Sequence, residues 1–384
     1  MQIRIYEPPR TDGAPFDIQA VLTRPSKAVW REYYSYGGTF EIEYPADGEG
    51  AGELKKGRVI LIEGYYPGYI DSVIRWFDAS GSWVRVSGFH ALGLLGLRNI
   101  VPSTLTGYTG MAGFDDRTGP TEGIIKGYIA ANLTSPAVAA RAWPGVRVAP
   151  GQGRGIPDDR YSARYNPLDA TVRELCDAAG LGITAVADIQ AGTVTLDCME
   201  GADRTWGNPA LPPLVFDPAR GNVLSMRLTD SDAAMRNTFY TTLGGAEFVD
   251  EALTLTYWRD QDAGEDIPAG AVRREAHIEI SVSTPFAGDE YNDLKRQALN
   301  QMTRYETALC FEAEINTNEV VYRRDFGLGD LVTVQNKSWG VTMNTRITGV
   351  EITVDGGSQT CKVTFGNPEL LPWEEWQRDI KRGG

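Results

Sequence analysis

Histidine is almost missing from this chain, with only His90 and His277 among 384 residues. Neither has a second His or Cys at ligand spacing, which excludes the common zinc motifs. His277 alternates with Glu279 on the polar side of a strand, and His90 falls where a strand passes into a helix. Cysteine is sparse too. Cys176, Cys198, Cys310 and Cys361 include no CxxC pair. Cys198 shares an alternating face with Val194 and Leu196, Cys361 one with Val363 and Phe365, and Cys176 a helical stripe with Val172 and Ala179. Buried, reduced thiols are the simplest account. No apolar run reaches the about 18 residues a spanning helix needs, so no membrane insertion is expected. The opening Met-Gln-Ile-Arg-Ile-Tyr-Glu-Pro-Pro lacks the basic-then-apolar order of a secretory signal. Positive charge is short: 37 Lys and Arg against 51 Asp and Glu leave a net −14. That excludes a basic surface wrapped in nucleic acid. It permits either plain solubility or a conduit wall along which a polyanion slides without adhering.

Catalytic signatures are also lacking. There is no Gly-x-Ser-x-Gly elbow. Gly151-Gln-Gly-Arg-Gly155 lies between Pro150 and Pro157, has no following Gly-Lys-Ser/Thr, and reads as a flexible loop rather than a phosphate cradle. Asp260-Gln-Asp-Ala-Gly-Glu-Asp266 departs from a calcium loop, with glycine at the fifth position and Ala271 at the twelfth. The acid pairs Asp115-Asp116, Asp158-Asp159 and Glu374-Glu375 fall in loops or the tail, with no carboxylate placed opposite. The chain therefore reads as a non-enzyme, with no catalytic, cofactor or metal residues. Tryptophan (9) and tyrosine (17) are plentiful, with clusters at Trp30, Tyr33, Tyr34 and Tyr36 and at Trp373 and Trp376. Core filling and subunit contacts account for them more simply than a sugar platform.

What is present is a chain long enough for two or three domains. Its 42% apolar and 23% charged residues suit a globular protein with sizeable cores. Alternation predicts strands at 17–23, 28–33, 39–44, 59–63, 69–77 and 82–88. Phe40, Ile42 and Tyr44 share one face. Closely spaced turns suggest a barrel or sandwich. Residues 90–97 turn helical, and 102–119 read as a long loop. Helices follow at 120–132 and 168–179, the second stopped by Gly180, then a hairpin at 183–189 and 193–199. Strand character returns at 214–216, 223–228 and 238–243, which would complete the first barrel. A third block holds strands at 253–258 and 274–282 and a helix over 289–307. Gly327, Gly329 and Asp330 make a tight turn into the strand 331–334. Strands 346–354 and 361–365 are joined by Asp355-Gly-Gly357, a hairpin signal. The alternation slips between Ile347 and Val350, which predicts a bulge near Thr348-Gly349.

Four segments in order carry a resemblance: Tyr36-Gly-Gly-Thr-Phe-Glu-Ile-Glu-Tyr-Pro45, Trp83-Val-Arg-Val-Ser-Gly-Phe-His-Ala-Leu-Gly-Leu-Leu-Gly-Leu-Arg98, Met235-Arg-Asn-Thr-Phe-Tyr-Thr-Thr-Leu-Gly244, and Asp325-Phe-Gly-Leu-Gly-Asp-Leu-Val-Thr-Val334 with Val363-Thr-Phe-Gly366. Together they resemble the siphovirus-type phage tail hub (baseplate hub, tail tip) proteins. The resemblance implies an α+β, mainly β fold with two tail-tube-like β-barrel domains and a small α/β insertion. It implies a first, discontinuous barrel from 1–95 plus about 205–243, a helix-rich insertion with a hairpin at 96–204, a second barrel at 244–370 and a tail at 371–384. It further implies a homotrimer at the distal end of the tail, made in the host cytoplasm. That trimer would cap the tail tube, adapt six-fold to three-fold symmetry and form part of the DNA ejection channel. The implied partners are tail tube and distal tail proteins, downstream tip or fibre proteins, and the tape-measure protein and transiting DNA in the lumen. Structural signature residues would be Phe40, Ile42 and Tyr44 in a barrel core, Trp83 with Val84 and Val86 beneath the first helix, and Gly327, Gly329 and Asp330 in their turn. Wall cleavage and receptor binding would fall to other proteins. The alternative is a carbohydrate-active hydrolase or a sugar-binding tail protein.

Overall fold

The alternation of Thr39–Pro45 shows how this chain builds its sheet. Phe40, Ile42 and Tyr44 are buried, while Glu41 and Glu43 face outward, so one strand supplies both a core face and a charged face. A computed structural model describes residues 2–62, 67–102, 113–244, 255–258, 268–281, 298–299, 301–302 and 305–366. The first strand group is β1 (Gln2–Glu7), β2 (Asp17–Thr23), β3 (Lys27–Tyr33), β4 (Thr39–Pro45), β5 (Val59–Ile62), β6 (Gly68–Asp78) and β7 (Gly81–His90). The insertion holds β8 (Asp115–Gly119), α1 (Thr121–Ile129), β9 (Val146–Val148), β10 (Asp159–Ala163), α2 (Leu168–Ala179), β11 (Gly182–Asp188) and β12 (Thr193–Met199). Then come β13 (Asp203–Arg204), β14 (Val215–Phe216), β15 (Val223–Ser231), β16 (Thr238–Gly244), β17 (Leu255–Trp258), β18 (Glu275–Ser281), β19 (Ala308–Ile315), β20 (Leu331–Asn336), β21 (Val341–Asp355) and β22 (Ser358–Gly366). The fold is mainly β, with few helices.

Among the described residues, one sheet carries fourteen strands. Its path runs β15-β19-β22-β21-β3-β4-β7-β6-β5-β1-β2, and β20 branches from β21 carrying the short parallel strands β13 and β14. The two strand groups join side by side where Gly349–Asp355 of β21 pairs antiparallel with Lys27–Tyr33. β21 reaches both β20 and β3 because it bends. Its register shifts between Ile347 and Gly349, the bulge that the phase slip predicts. The β21–β22 turn uses Gly356 (φ +55°) and Gly357 (φ +90°), the paired left-handed residues that match hairpin twist.

Two features differ from expectation. Pairing among the described residues closes neither strand group into a ring: β2 and β3 are not partners, nor are β14 and β15. And β15 pairs with β19, while β16 forms a separate small sheet with β17 and β18. None of these strands pairs with β1–β7, so the strands at 214–243 lie with the C-terminal group rather than completing the first one.

Three cores follow. The main one runs through both strand groups, from Trp30, Phe40 and Ile42 to Phe216, Phe311, Val350 and Phe365. The second welds the insertion to the first group, packing Ile124, Tyr128, Leu175 and Leu196 against Tyr6, Phe16, Val59 and Tyr69. In α2 the buried stripe Leu168, Val172, Leu175 and Cys176 turns inward, and Gly180 (φ +64°) ends the helix as predicted. The third core is small: Phe239, Ile278 and Ile280 under Ala298 and Met302. Residues 298–299 and 301–302 are helical. The rest of the predicted 289–307 helix, the acidic loop 260–266 and the tail 371–384 lie outside the described residues, apart from 305–307. Among the described residues no helix is long and apolar enough to cross a membrane.

Candidate functional site

The turn at Gly329-Asp330 is where the first strand group, the insertion and the C-terminal group meet. Asp330 is buried, and its carboxylate accepts from Gly327 N–H (2.8 Å), Ala202 N–H (2.9 Å) and Arg204 Nε (3.2 Å). The backbone on either side is held as well. Gly329 N–H donates to Ile347 O (2.8 Å), Ile347 N–H to Asp330 O (2.9 Å) and Leu331 N–H to Ala202 O (2.9 Å). Gly329 sits at φ +89°, and a Cβ there would lie well inside 3.0 Å of the Tyr34 ring. A Cβ on Gly201 would collide with the Gly329 carbonyl, so the two chain segments pass at glycine-only separation. Gly327 differs. It has no positive φ, and its Cβ would meet nothing closer than Asp330 at 3.7 Å.

Tyr34, just past β3, is the pin through this junction. Its hydroxyl lies 3.2 Å from both Gly180 O and Met199 O, to which its single proton can be donated in turn. It also accepts from Arg346 Nη1 (3.3 Å), and that guanidinium lies 5.0 Å from the Tyr34 ring centroid. Burial pushes the phenol up from its ordinary value, against the opposing Arg346 charge. Arg346 donates in addition to Gly329 O (2.7 Å).

A second tie crosses the same seam. Glu32 of β3 is 1% exposed and accepts from Tyr322 Oη (2.7 Å) and Arg323 Nη2 (2.7 and 2.9 Å). Arg323 is held at φ +66° in a turn fastened by Val321 N–H to Asp325 Oδ2 (2.7 Å). Nearby, His90 stacks on Trp30 at 4.7 Å. Burial first, and the Arg323 charge second, hold its imidazole down at about 3. A base whose folded value lies below its unfolded one, near 6.5, contributes full stability above pH 6.5 and loses it as pH falls toward 3. Between pH 7 and pH 5 the expected loss is about 2 kcal/mol. Urea denaturation at the two pH values should show it, and His90→Phe should flatten the difference.

In the insertion the Gly-rich loop is pinned, not flexible. Glu122 is fully buried, and its carboxylate accepts from Gln152 N–H (2.8 Å), Arg154 N–H (2.9 Å) and Lys126 Nζ (2.6 Å). Burial works to raise this carboxyl, but the amides of Arg154 and Gln152 and the Lys126 ammonium outweigh it and hold it low. The loop amides a phosphate would use are thus turned to the protein's own carboxylate. Asp115 and Asp116 lie on β8, and buried Asp159 accepts from Thr121 Oγ1 (2.9 Å), so these acids belong to paired strands rather than loops. All four cysteines are buried, and burial pushes Cys198, Cys310 and Cys361 up to about 12. Among the described residues no group of three or more His, Cys, Asp or Glu could hold a metal ion.

Phe40, Ile42 and Tyr44 sit in the main core, as do Val84 and Val86. Trp83 does not. It lies on the opposite face of β7 at the β6–β7 hairpin, 6.5 Å from Trp76 in a stacked pair, and the segment 91–97 covers Tyr69 and Phe89 instead. Adjacent residues of a strand point to opposite faces, so Trp83 and Val84 could not share one environment. The outward face of the sheet is laced with ion pairs: Arg85–Glu43 (2.5 Å), Arg31–Glu351 (2.6 Å) and Arg227–Glu312 (3.8 Å).

This architecture, two strand groups joined edge to edge around a helical insertion, is one shared with phage tail proteins of solved structure. Similar over nearly the whole length are the tail protein from Neisseria meningitidis MC58 (13% identity, TM-score 0.55, 96% of this chain and 97% of that one) and the 43 kDa tail protein of prophage MuSo2 from Shewanella oneidensis (13%, 0.56, 97% and 99%). So is prophage tail protein gp18 from Listeria monocytogenes EGD-e (9%, 0.52, 100% and 99%). The chain belongs to the Siphovirus ReqiPepy6 Gp37-like protein family, whose model matches residues 2–367. No curated protein matches it in sequence.

Proposed function

We propose that the chain is a structural, non-enzymatic hub of a phage tail, seated at the distal end as a homotrimer. Each copy contributes two tube-like modules. One is built on β1–β7, the other on β13–β22, with the insertion 96–204 buttressing the first. Three copies then present six modules to a six-fold tail tube and three-fold symmetry to the tip or fibre proteins beyond. The observation that carries this is the pairing of β3 with β21, which sets the two groups side by side in one continuous sheet. A sheet so arranged has one face against the main core; its other face is covered by the insertion at Tyr6, Val59 and Tyr69 and is open elsewhere among the described residues. On its open part Arg31, Arg85 and Arg227 are paired with carboxylates, beside the apolar Ile74, Trp76 and Trp83. Such a face suits the wall of a channel for the tape-measure protein and then DNA, because it offers phosphate few unpaired cations. Membership of a siphovirus family and a fold shared with tail proteins support the same reading. The mass of the purified particle, with class averages down its axis, tests it. A three-fold ring with an open pore is expected; a monomer at every concentration and on the assembled tail would overturn it.

A further inference from the structure

Eight strands of the main sheet, β15-β19-β22-β21-β3-β4-β7-β6, form an unbroken antiparallel run. Among the described residues the outer edge of β15 is unpaired, and that of β6 is unpaired over most of its length. β15 pairs only with β19. β6 pairs with β5 only through Tyr69 and Gly68, so beyond Ile70 its outer edge is free over residues 71–78. An open edge is a template for another strand, and proteins that leave one long and apolar ordinarily cover it. Each edge exposes a large apolar side chain: Phe77 is 82% exposed on β6, and Leu224 is 63% exposed on β15.

The two edges also match. Eight is an even number, so β6 and β15 run in opposite directions. Copies placed head to tail therefore meet antiparallel at every joint, whatever their number. Residues 71–78 and Val223–Ser231 are nearly equal in length. Face parity then limits the register. Toward the core point Val73 and Arg75, opposite Val86 and Val84 of β7, and on β15 Met226 and Leu228, opposite Ala313 and Phe311 of β19. Outward point Ile74 and Trp76, and on β15 Ser225 and Arg227. One register overlaps the whole free edge of β6 and keeps the faces in phase between the two bulges, from Ser72 opposite Thr229 to Trp76 opposite Ser225. It sets Val73 against Leu228, Arg75 against Met226 and Phe77 against Leu224. The two most exposed apolar side chains of these edges fall opposite each other, although only length and the parity of residues 72–76 and 225–229 chose the register; Leu224 is the bulged residue of β15, with no partner on β19.

We propose that β6 of one copy joins β15 of the next by antiparallel strand addition in this register, so that the sheet continues from subunit to subunit. This rests on the hub reading and names the edges that make its ring. The occupant is a second copy of this chain, because each copy carries one edge of each kind.

The test is the full-length double variant Phe77→Cys/Leu224→Cys, oxidised alone and in purified tails. The native cysteines are buried and do not compete. Expected is conversion of most of the chain to disulfide-linked oligomers that revert with reductant. The controls Phe77→Cys/Ser225→Cys, on opposite faces, and Phe77→Cys/Leu228→Cys, four residues out of step, should cross-link at least ten-fold less. Phe77→Asp, at a site open enough to leave the fold intact, should lower the particle mass. A three-fold particle that does not cross-link at 77 and 224, or cross-links equally in the controls, overturns the edge pairing and leaves the hub standing. Monomers without cross-links in both preparations overturn both.

Discussion

Replacing Gly329 by valine is expected to cost about 3–5 kcal/mol of folding stability and to abolish assembly. The position stands at φ +89°, where a β-branched residue carries about 1–3 kcal/mol of backbone strain. The added Cβ would also drive into the Tyr34 ring, which cannot retreat because its hydroxyl is pinned against Gly180 O, Met199 O and Arg346. Relief by moving the turn is blocked on the other side, where Gly201 already lies against the Gly329 carbonyl. Against a total stability of about 5–15 kcal/mol, such a loss is enough to deplete the folded chain. Gly327→Ala is the internal control. Its Cβ would find ordinary contact distances and no positive φ, so an effect under about 1 kcal/mol is expected. Denaturant midpoints of the two variants check the pair. Equally small effects at 327 and 329 would mean that the turn tolerates side chains and that the junction is not built on glycine geometry.

The contrast between those glycines marks the limit of what the sequence discloses. Gly327, Gly329 and Asp330 read alike as turn residues, and all three do sit in the turn. Only the packing of Tyr34, some three hundred positions earlier, separates the essential glycine from the dispensable one. Local signals were legible wherever one residue's neighbours decide its state. The alternation of Phe40, Ile42 and Tyr44, the stripe of α2 with its Gly180 stop, and the phase slip at 347–349 all appear in the fold. Partner choice was not legible. Parity says which face of 223–231 is apolar, but β19 lies far along the chain, beyond a small sheet that interrupts the β15–β19 pairing. The Gly-rich loop failed for the same reason. Its amides are claimed by Glu122, some thirty residues upstream on α1 beside its i+4 partner Lys126. One long-range tie did leave a trace. Glu32 shares inward parity with Ala28 and Trp30, and an acid on the core side of a strand signals a buried partner.

That partner makes Glu32→Ala the second large effect, at about 2–4 kcal/mol. The carboxylate takes two bonds from the Arg323 guanidinium and one from the Tyr322 hydroxyl, and all three lose their acceptor together. Removing one side of a buried ion pair ordinarily costs about 3–5 kcal/mol because the other charge is stranded. Here the side chain of Arg323 is 33% exposed and can recover part of its hydration, which brings the expectation down. Glu32→Gln keeps one acceptor and the side-chain shape, so it should cost roughly half as much. Combining Glu32→Ala with Arg323→Met separates the ion pair from lost packing. If the pair carries the effect, the double variant should be more stable than the sum of single losses predicts, by at least about 1 kcal/mol. Strict additivity would instead mean that the Tyr322-Arg323 turn holds its left-handed residue without help from β3. The seam between the two strand groups would then depend on the Asp330 junction alone.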